Sequence, residues 1–276
     1  MLAHLMRGPS RESAAAAAER LETLLNSRTV DPAGLGDDLF AVTELLSGNA
    51  GLRRALTDSS RHADDKAVLA ERILHEQISG QAVELLAGMV RSRWSDPADL
   101  PAAVDGLAVS ALLFSAERAG RLDSVEDELF RLSRTVAADV SLRDAFAART
   151  VGRERKTELV RRLLAGKVTL ETLRLAVQAA VSPRGLRTEQ ALEHYLEAAA
   201  RRRRQLVAEV VAASPLSDGQ RARLSTALRR IYGRDIRINL DVDPEVLGGL
   251  RIQVGGELID STVIARLSSA RRTLAG

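Results

Sequence analysis

Residues 37–74 read DDLFAVTELLSGNAGLRRALTDSSRHADDKAVLAERIL, and residues 127–164 read DELFRLSRTVAADVSLRDAFAARTVGRERKTELVRRLL. The two align without a gap at an offset of ninety residues. Asp37, Leu39 and Phe40 match Asp127, Leu129 and Phe130. Leu52, Arg53 and Ala55 match Leu142, Arg143 and Ala145. Lys66, Leu69, Arg72 and Leu74 match Lys156, Leu159, Arg162 and Leu164. That is ten identities in 38 aligned positions, more than helices rich in Leu, Ala and Arg share by composition, and it reads as a duplication.

Working outward, each copy reads as about six helices. Val125, Leu129, Leu132 and Val136 recur at the spacing of one helical face. Leu159, Val160, Leu163 and Leu164 do so in Arg153–Leu164, and Leu173, Ala176, Val177 and Ala180 in Leu170–Val181. The first copy answers with Ala67, Ala70, Ile73 and Leu74, then Ala82, Leu85, Leu86 and Met89. The joints carry breakers: Gly48-Asn49, Ser95-Asp96-Pro97 and Ser182-Pro183-Arg184-Gly185.

The ninety-residue shift maps the first helix of copy one (near Glu12–Leu25) onto Ala102–Ser115. It maps the last helix of copy two (near Arg187–Arg203) back onto Pro97–Leu113. The two images overlap, so one helix around Pro101–Ala119 is expected to close the first bundle and open the second, joining them stiffly. The expected domains are residues 1–105, the first bundle; 106–204, the second; and 205–276, a unit of different character.

In that last unit the period changes. Leu206–Ala213 reads as a strand. Ser217 with Gln220 three residues on is a capping-box pattern. Leu224, Ala227, Leu228 and Ile231 would form the apolar stripe of the helix, and Gly233 would stop it. Ile236, Ile238, Leu240 and Val242 alternate with Arg237, Asn239 and Asp241, as do Leu250, Ile252 and Val254 with their neighbours. Gly255-Gly256 suits a two-residue hairpin turn. Asp260-Ser261 can cap a final helix with Val263, Leu267, Ala270 and Leu274 on its apolar face. The fold class is therefore mainly α, tandem six-helix bundles sharing a connecting helix, with a C-terminal α+β domain holding a small mixed sheet.

The totals bound what such a chain does. Of 276 residues, 45% are hydrophobic and 3% aromatic, a core of Ala and Leu suited to helices. With no cysteine there is neither a disulfide framework nor a thiolate metal site. The pI near 9.7 hints at a polyanionic partner. The formal charge, however, is only +3 from 40 basic and 37 acidic residues, which is a mixed surface. The start, MLAHLMRGPSRES, has no apolar run of signal-sequence length. The longest clearly apolar stretch, Leu107–Phe114, is far short of the roughly 20 residues of a membrane span. No export signal and no direct membrane span are expected.

The glycine-centred C-terminal stretch is the specific part. Ile236-Arg237-Ile238, then Val242-Asp243-Pro244-Glu245-Val246, then Gly248-Gly249-Leu250-Arg251-Ile252-Gln253-Val254-Gly255 closely resembles the signature of ATP synthase delta subunits, relatives of the mitochondrial oligomycin-sensitivity-conferring protein. Val254–Leu267 resembles the close of that signature, a hairpin, Ile259-Asp260, then a helix with Arg266-Leu267. Ser261-Thr262 departs from it, where many members have Gly-Ser. Val109–Gly276 resembles the usual two-domain layout, so residues 1 to about 105 are an extra bundle. Met89-Val90-Arg91-Ser92-Arg93-Trp94-Ser95 is similar to the enlarged actinobacterial form.

The resemblance implies a non-catalytic subunit of the F-type, proton-transporting ATP synthase, peripheral on the cytoplasmic face of the cell membrane. In that family the bundle caps the alpha/beta head by binding an N-terminal helix of the alpha subunit. The C-terminal domain contacts the C-terminal end of the peripheral-stalk b subunit, and the joint resists rotor torque. The second copy is expected to take the alpha helix. The resemblance implies no cofactor and no small-molecule substrate.

Sharper chemistry finds little support in the residues. Gly248-Gly249 precedes a strand rather than opening a helix, and no G-x-x-x-x-G-K-[ST] occurs, so a backbone role is expected and not a phosphate loop. His4, His62, His75 and His194 lack ligand spacing. Asp37-Asp38, Asp64-Asp65 and Glu126-Asp127-Glu128 sit at expected helix starts, where acids suit the dipole. No catalytic residue and no nucleic-acid partner are expected; Arg201–Arg204 has no interleaved aromatics for stacking. Two other readings stand beside the family one: a helical-repeat adaptor for amphipathic helices, which has no reason to carry the glycine signature, and an RNA-binding module, whose binding would fall steeply with salt.

Overall fold

The computed structural model describes residues 6–27, 29–148, 150–183, 185–204, 207–233, 236–243, 249–254 and 257–260. The first half comprises α1 (Pro9–Leu25), α2 (Pro32–Gly48), α3 (Ala50–Thr57), α4 (Ala63–Leu74), α5 (Gly80–Arg91) and α6 (Asp99–Arg118). Then come α7 (Leu122–Ala138), α8 (Val140–Ala147), α9 (Arg153–Leu164), α10 (Leu170–Val181) and α11 (Thr188–Arg204). Shifted by ninety residues, both ends of α2, α3, α4 and α5 land on those of α7, α8, α9 and α10. The two copies belong to one compact unit, residues 1–199; a second comprises residues 200–276.

The copies share their ties as well as their helices. Ser79 caps α5 by accepting from Ala82 N, and Thr169 caps α10 by accepting from Thr172 N. The cap residues are themselves held. Asp38 Oδ2 accepts the Ser79 N–H at 2.9 Å, and Glu128 Oε2 accepts the Thr169 N–H at 2.9 Å and its hydroxyl at 2.8 Å. Arg53 donates to the carbonyls of Leu46 and Ser47 at the end of α2, and Arg143 donates to Ala137 at the end of α7. These carbonyls have no partner within the helix, so the arginines satisfy them.

The expected shared helix is α6. It starts ninety residues after α1, and buried residues occupy almost every position from Leu100 to Ala116. A helix apolar all round is a core helix. By length and composition α6 is also the one described helix apolar enough to cross a membrane, which extends the Leu107–Phe114 stretch seen in the sequence. However, 78% of the window concerned is buried inside the unit. Gly36 brings α2 against it: a Cβ there would meet Leu112 Cγ at 2.9 Å and the Ala108 carbonyl at 3.2 Å. At the C-terminal end Arg118 donates to the carbonyls of Leu25, Ser27 and Val30, closing α1, and stacks over Phe114. Near the N-terminal end Ser13 donates to the Arg93 carbonyl at 2.7 Å and Trp94 to that of Met89 at 2.9 Å, so the Met89–Ser95 segment anchors α1 and ends α5.

The second unit holds β1 (Val207–Ala212), α12 (Asp218–Tyr232), β2 (Arg237–Val242), β3 (Leu250–Val254) and β4 (Glu257–Asp260), in the sheet order β2-β1-β3-β4. β1 pairs parallel with β2 through the α12 crossover; the other pairs are antiparallel. The capping box at Ser217 and Gln220 forms, and Gly233 ends α12 at φ +69°. One expectation is corrected. Leu228 is buried and Leu224 and Tyr232 pack on the same core, whereas Ala227 is exposed and Ile231 is 61% exposed. The face is set by the i, i+4, i+8 row, which Tyr232 completes. Val254 lies opposite Glu257, so two residues connect β3 to β4. The Gly255-Gly256 turn and the helix expected after Asp260 lie outside the described residues.

Candidate partner-binding surfaces

Of the signature residues, five meet in one place. Ile236, Ile252 and Val254 are buried in the core of the second unit, with Ile238 and Leu250 packed against them. They build the sheet's apolar face. Val242 is 40% exposed at the end of β2, and the Asp243 N–H donates to the Ala212 carbonyl at 3.0 Å, extending the β1–β2 ladder. Gly249 enters β3 at φ +85°, a left-handed conformation that favours glycine. The Asp260 backbone pairs with Arg251. Val246, Gly248, Gly255, Arg266 and Leu267 lie outside the described residues.

The helical unit contains a groove between its two copies. One wall is α2, with Asp37 and Phe40; the other is α10, with Leu170, Leu173 and Val177, and α9 adds Arg161 at the edge. Phe40 is only 8% exposed, while Leu170 is 66% exposed. Arg174 meets Asp37 at 3.1 Å, and Arg153 meets Glu44 at 2.5 Å, so ion pairs tie α2 to α10 and to α9. Burial raises the Asp37 pKa above its ordinary value against the opposing pull of Arg174. Periodicity singled out Leu173 and Val177 but not the ion-pairing residues. Their signal was in the unmatched positions of the repeat, where Glu84 becomes Arg174 and Ala63 becomes Arg153.

A buried carboxylate braces the second copy. Glu171, 2% exposed, accepts from Arg121 at 2.7 Å and from Ser115 at 3.0 Å. Burial alone would raise its pKa, but the hydrogen bonds from Arg121 and Ser115 outweigh it and hold the carboxyl below its usual range. His75 stands 3.9 Å from Glu76 and His194 3.9 Å from Glu197, each beside a neighbour on its own helix or turn.

Residues 109–274 match the family model described as ATP synthase delta (OSCP) subunit. The chain belongs to that family. Its delta-subunit relatives include the ATP synthase subunit delta of Kineococcus radiotolerans, 49% identical over 276 residues and covering 100% of both chains. Those of Streptomyces avermitilis and Streptomyces coelicolor are 50% and 48% identical, covering 100% and 98% of this chain. A chain of the Toxoplasma gondii mitochondrial ATP synthase hexamer is 20% identical and covers 61% of this chain and 95% of its own, but at a TM-score of 0.32 the likeness carries no structural argument. Like its family, the chain is a structural and non-catalytic subunit of ATP synthase. The family model begins inside α6, so α1–α5 lie ahead of it, while the full-length relatives include that region too.

Proposed function

We propose that this chain links the catalytic head of ATP synthase to the peripheral stalk on the cytoplasmic face of the membrane, and that the groove between its helical copies receives an N-terminal amphipathic helix of the alpha subunit. The observation that carries this reading is Leu170, left 66% exposed in a groove that apolar Phe40, Leu173 and Val177 line together with Asp37, Arg161 and Arg174. An apolar stripe laid into such a groove is a recurring mode of helix recognition. The groove centre supplies affinity, and Arg161 and the Asp37–Arg174 pair at the edge supply register and rate. The second copy contributes α9 and α10, the larger share of the lining. The α+β unit contacts the C-terminal end of the b subunit, so torque passes along the chain from head to stalk.

Calorimetric titration of the full chain with a peptide from the N-terminal end of the alpha subunit tests this. Saturable one-to-one binding is expected, weakened about tenfold or more by Leu170→Ser. Undiminished binding in that variant sinks the groove assignment. If neither that peptide nor one from the C-terminal end of the b subunit binds the folded chain, the linkage itself is sunk.

A further inference from the structure

The repeat presents the α2 surface twice, and only one of the two is covered. On α2, Asp37, Phe40 and Glu44 face α9 and α10: Asp37 pairs with Arg174, Glu44 pairs with Arg153, and Phe40 is buried to 8% exposure. Ninety residues on, α7 carries Asp127, Phe130 and Arg134 at the same positions. Phe130 is 53% exposed there. A phenylalanine identical in both copies is thus a buried anchor in one and bare in the other.

We propose that the α7 face centred on Phe130 is a second docking surface, for an amphipathic helix of another synthase subunit that sets a basic residue against Asp127 and an acidic residue against Arg134. The covered twin supplies the template: apolar side chains over the phenylalanine, and a countercharge at each end of the stripe. The chemistry differs at one end, because Arg134 replaces Glu44 and reverses the charge required there. Asp127 already pairs with Arg131 along α7, so the incoming base shares that carboxylate. The two charges on α7 are seven residues apart, about 10 Å along the axis, and the partner's base and acid must span the same distance.

A second copy of this chain does not fit. Head-to-tail stacking would bring the α4–α5 surface of another copy onto α7, because that surface is the repeat equivalent of α9–α10. There Leu170, Leu173 and Val177 become Gly80, Val83 and Ala87, so the apolar contact shrinks. Arg174 becomes Glu84, which would face Asp127 with like charge, and Arg153 becomes Ala63, which offers Arg134 nothing. Among the described residues the repeat offers no second matching face, so the occupant we assign is a helix of another subunit. Asp127, Phe130 and Arg134 do not line the groove at Leu170.

The test uses the intact synthase with a photoreactive benzoylphenylalanine in place of Phe130 and, separately, in place of Leu170. Position 130 is expected to cross-link to a helix of another subunit that carries a base and an acid about seven residues apart with an apolar residue between them. Asp127→Lys combined with Arg134→Glu should cut that yield several-fold without shifting the melting temperature of the free chain, and reversing both mapped charges on the partner should restore it. No product at 130, a product with a second copy of this chain, or a product with residues 205–276 of the same chain overturns the proposal. A product at 170 alone leaves the groove reading standing and removes this one.

Discussion

The Asp38 carboxylate accepts the backbone N–H of Ser79 at 2.9 Å, pinning α2 to the first residue ahead of α5 across forty-one positions of chain. Glu128 does the same for Thr169 and takes the threonine hydroxyl as well. Each bond occupies an N–H that the helix start cannot use. Asp38→Ala should cost about 1–2 kcal/mol and Glu128→Ala about 1–3 kcal/mol, the second being larger because two donors lose their acceptor. Urea unfolding of the full chain measures both. Equal and negligible losses would show that water replaces the carboxylates without cost.

Glu171 predicts an acid dependence. Its folded pKa lies below the ordinary carboxylate value because the bonds from Arg121 and Ser115 outweigh burial. Such a group contributes stability above its unfolded pKa of about 4.3, and that contribution is lost as pH falls through the folded value. Glu171→Gln should therefore lose roughly 1–3 kcal/mol at neutral pH and show a shallower fall in stability below pH about 4. Unfolding curves of both proteins between neutral and acid pH decide it; parallel profiles would refute the linkage.

Arg174 and Asp37 are both partly exposed, so their pair should be weak alone. Arg174→Glu sets like charges face to face between the copies. A double-mutant cycle with Asp37→Lys should return a coupling of roughly 0.5–1 kcal/mol. A coupling of zero would mean that this pair does not help to hold the copies together.

At φ +85°, Gly249 occupies a conformation that a β-branched residue adopts only under strain. Gly249→Val should destabilise the α+β unit by about 1–3 kcal/mol, with Gly249→Ala less affected. Hydrogen exchange of β3 amides reads this directly. In the assembled synthase the valine variant should weaken coupling of head to stalk, while ATP hydrolysis by the detached head stays unchanged. Normal coupling would remove the motif from the proposed linkage.

Much of this architecture was legible in the residues. Ten matched pairs marked the duplication, and Arg153–Leu164 and Leu170–Val181 were read with the bounds that α9 and α10 have, because a helix boundary is written locally, in breakers such as Gly48-Asn49. The face of α12 was misread because Ile231 is apolar but exposed, and Tyr232 supplies the row that faces the sheet. The groove was not legible. Its α2 wall carries Asp37 and Phe40, which match in both copies, but its α10 wall differs from that of α5, and an ion pair such as Arg153 with Glu44 depends on docking rather than on spacing. Gly249 of the signature enters β3 at positive φ, while Val246, Gly248 and the last helix lie outside the described residues.

The burial of α6 has a consequence for descent. The family's own boundary falls at residue 109, halfway along that helix. A deletion that discarded the added bundle at that point would cut α6 in two. It would also strip Gly36 and its helix from Leu112, leaving the remaining half with a bare apolar flank. The repeat reads as a duplication, but undoing it would require repainting a whole helix face from apolar to polar. A single deletion therefore does not release one bundle from the other: α6 makes the enlargement hard to reverse.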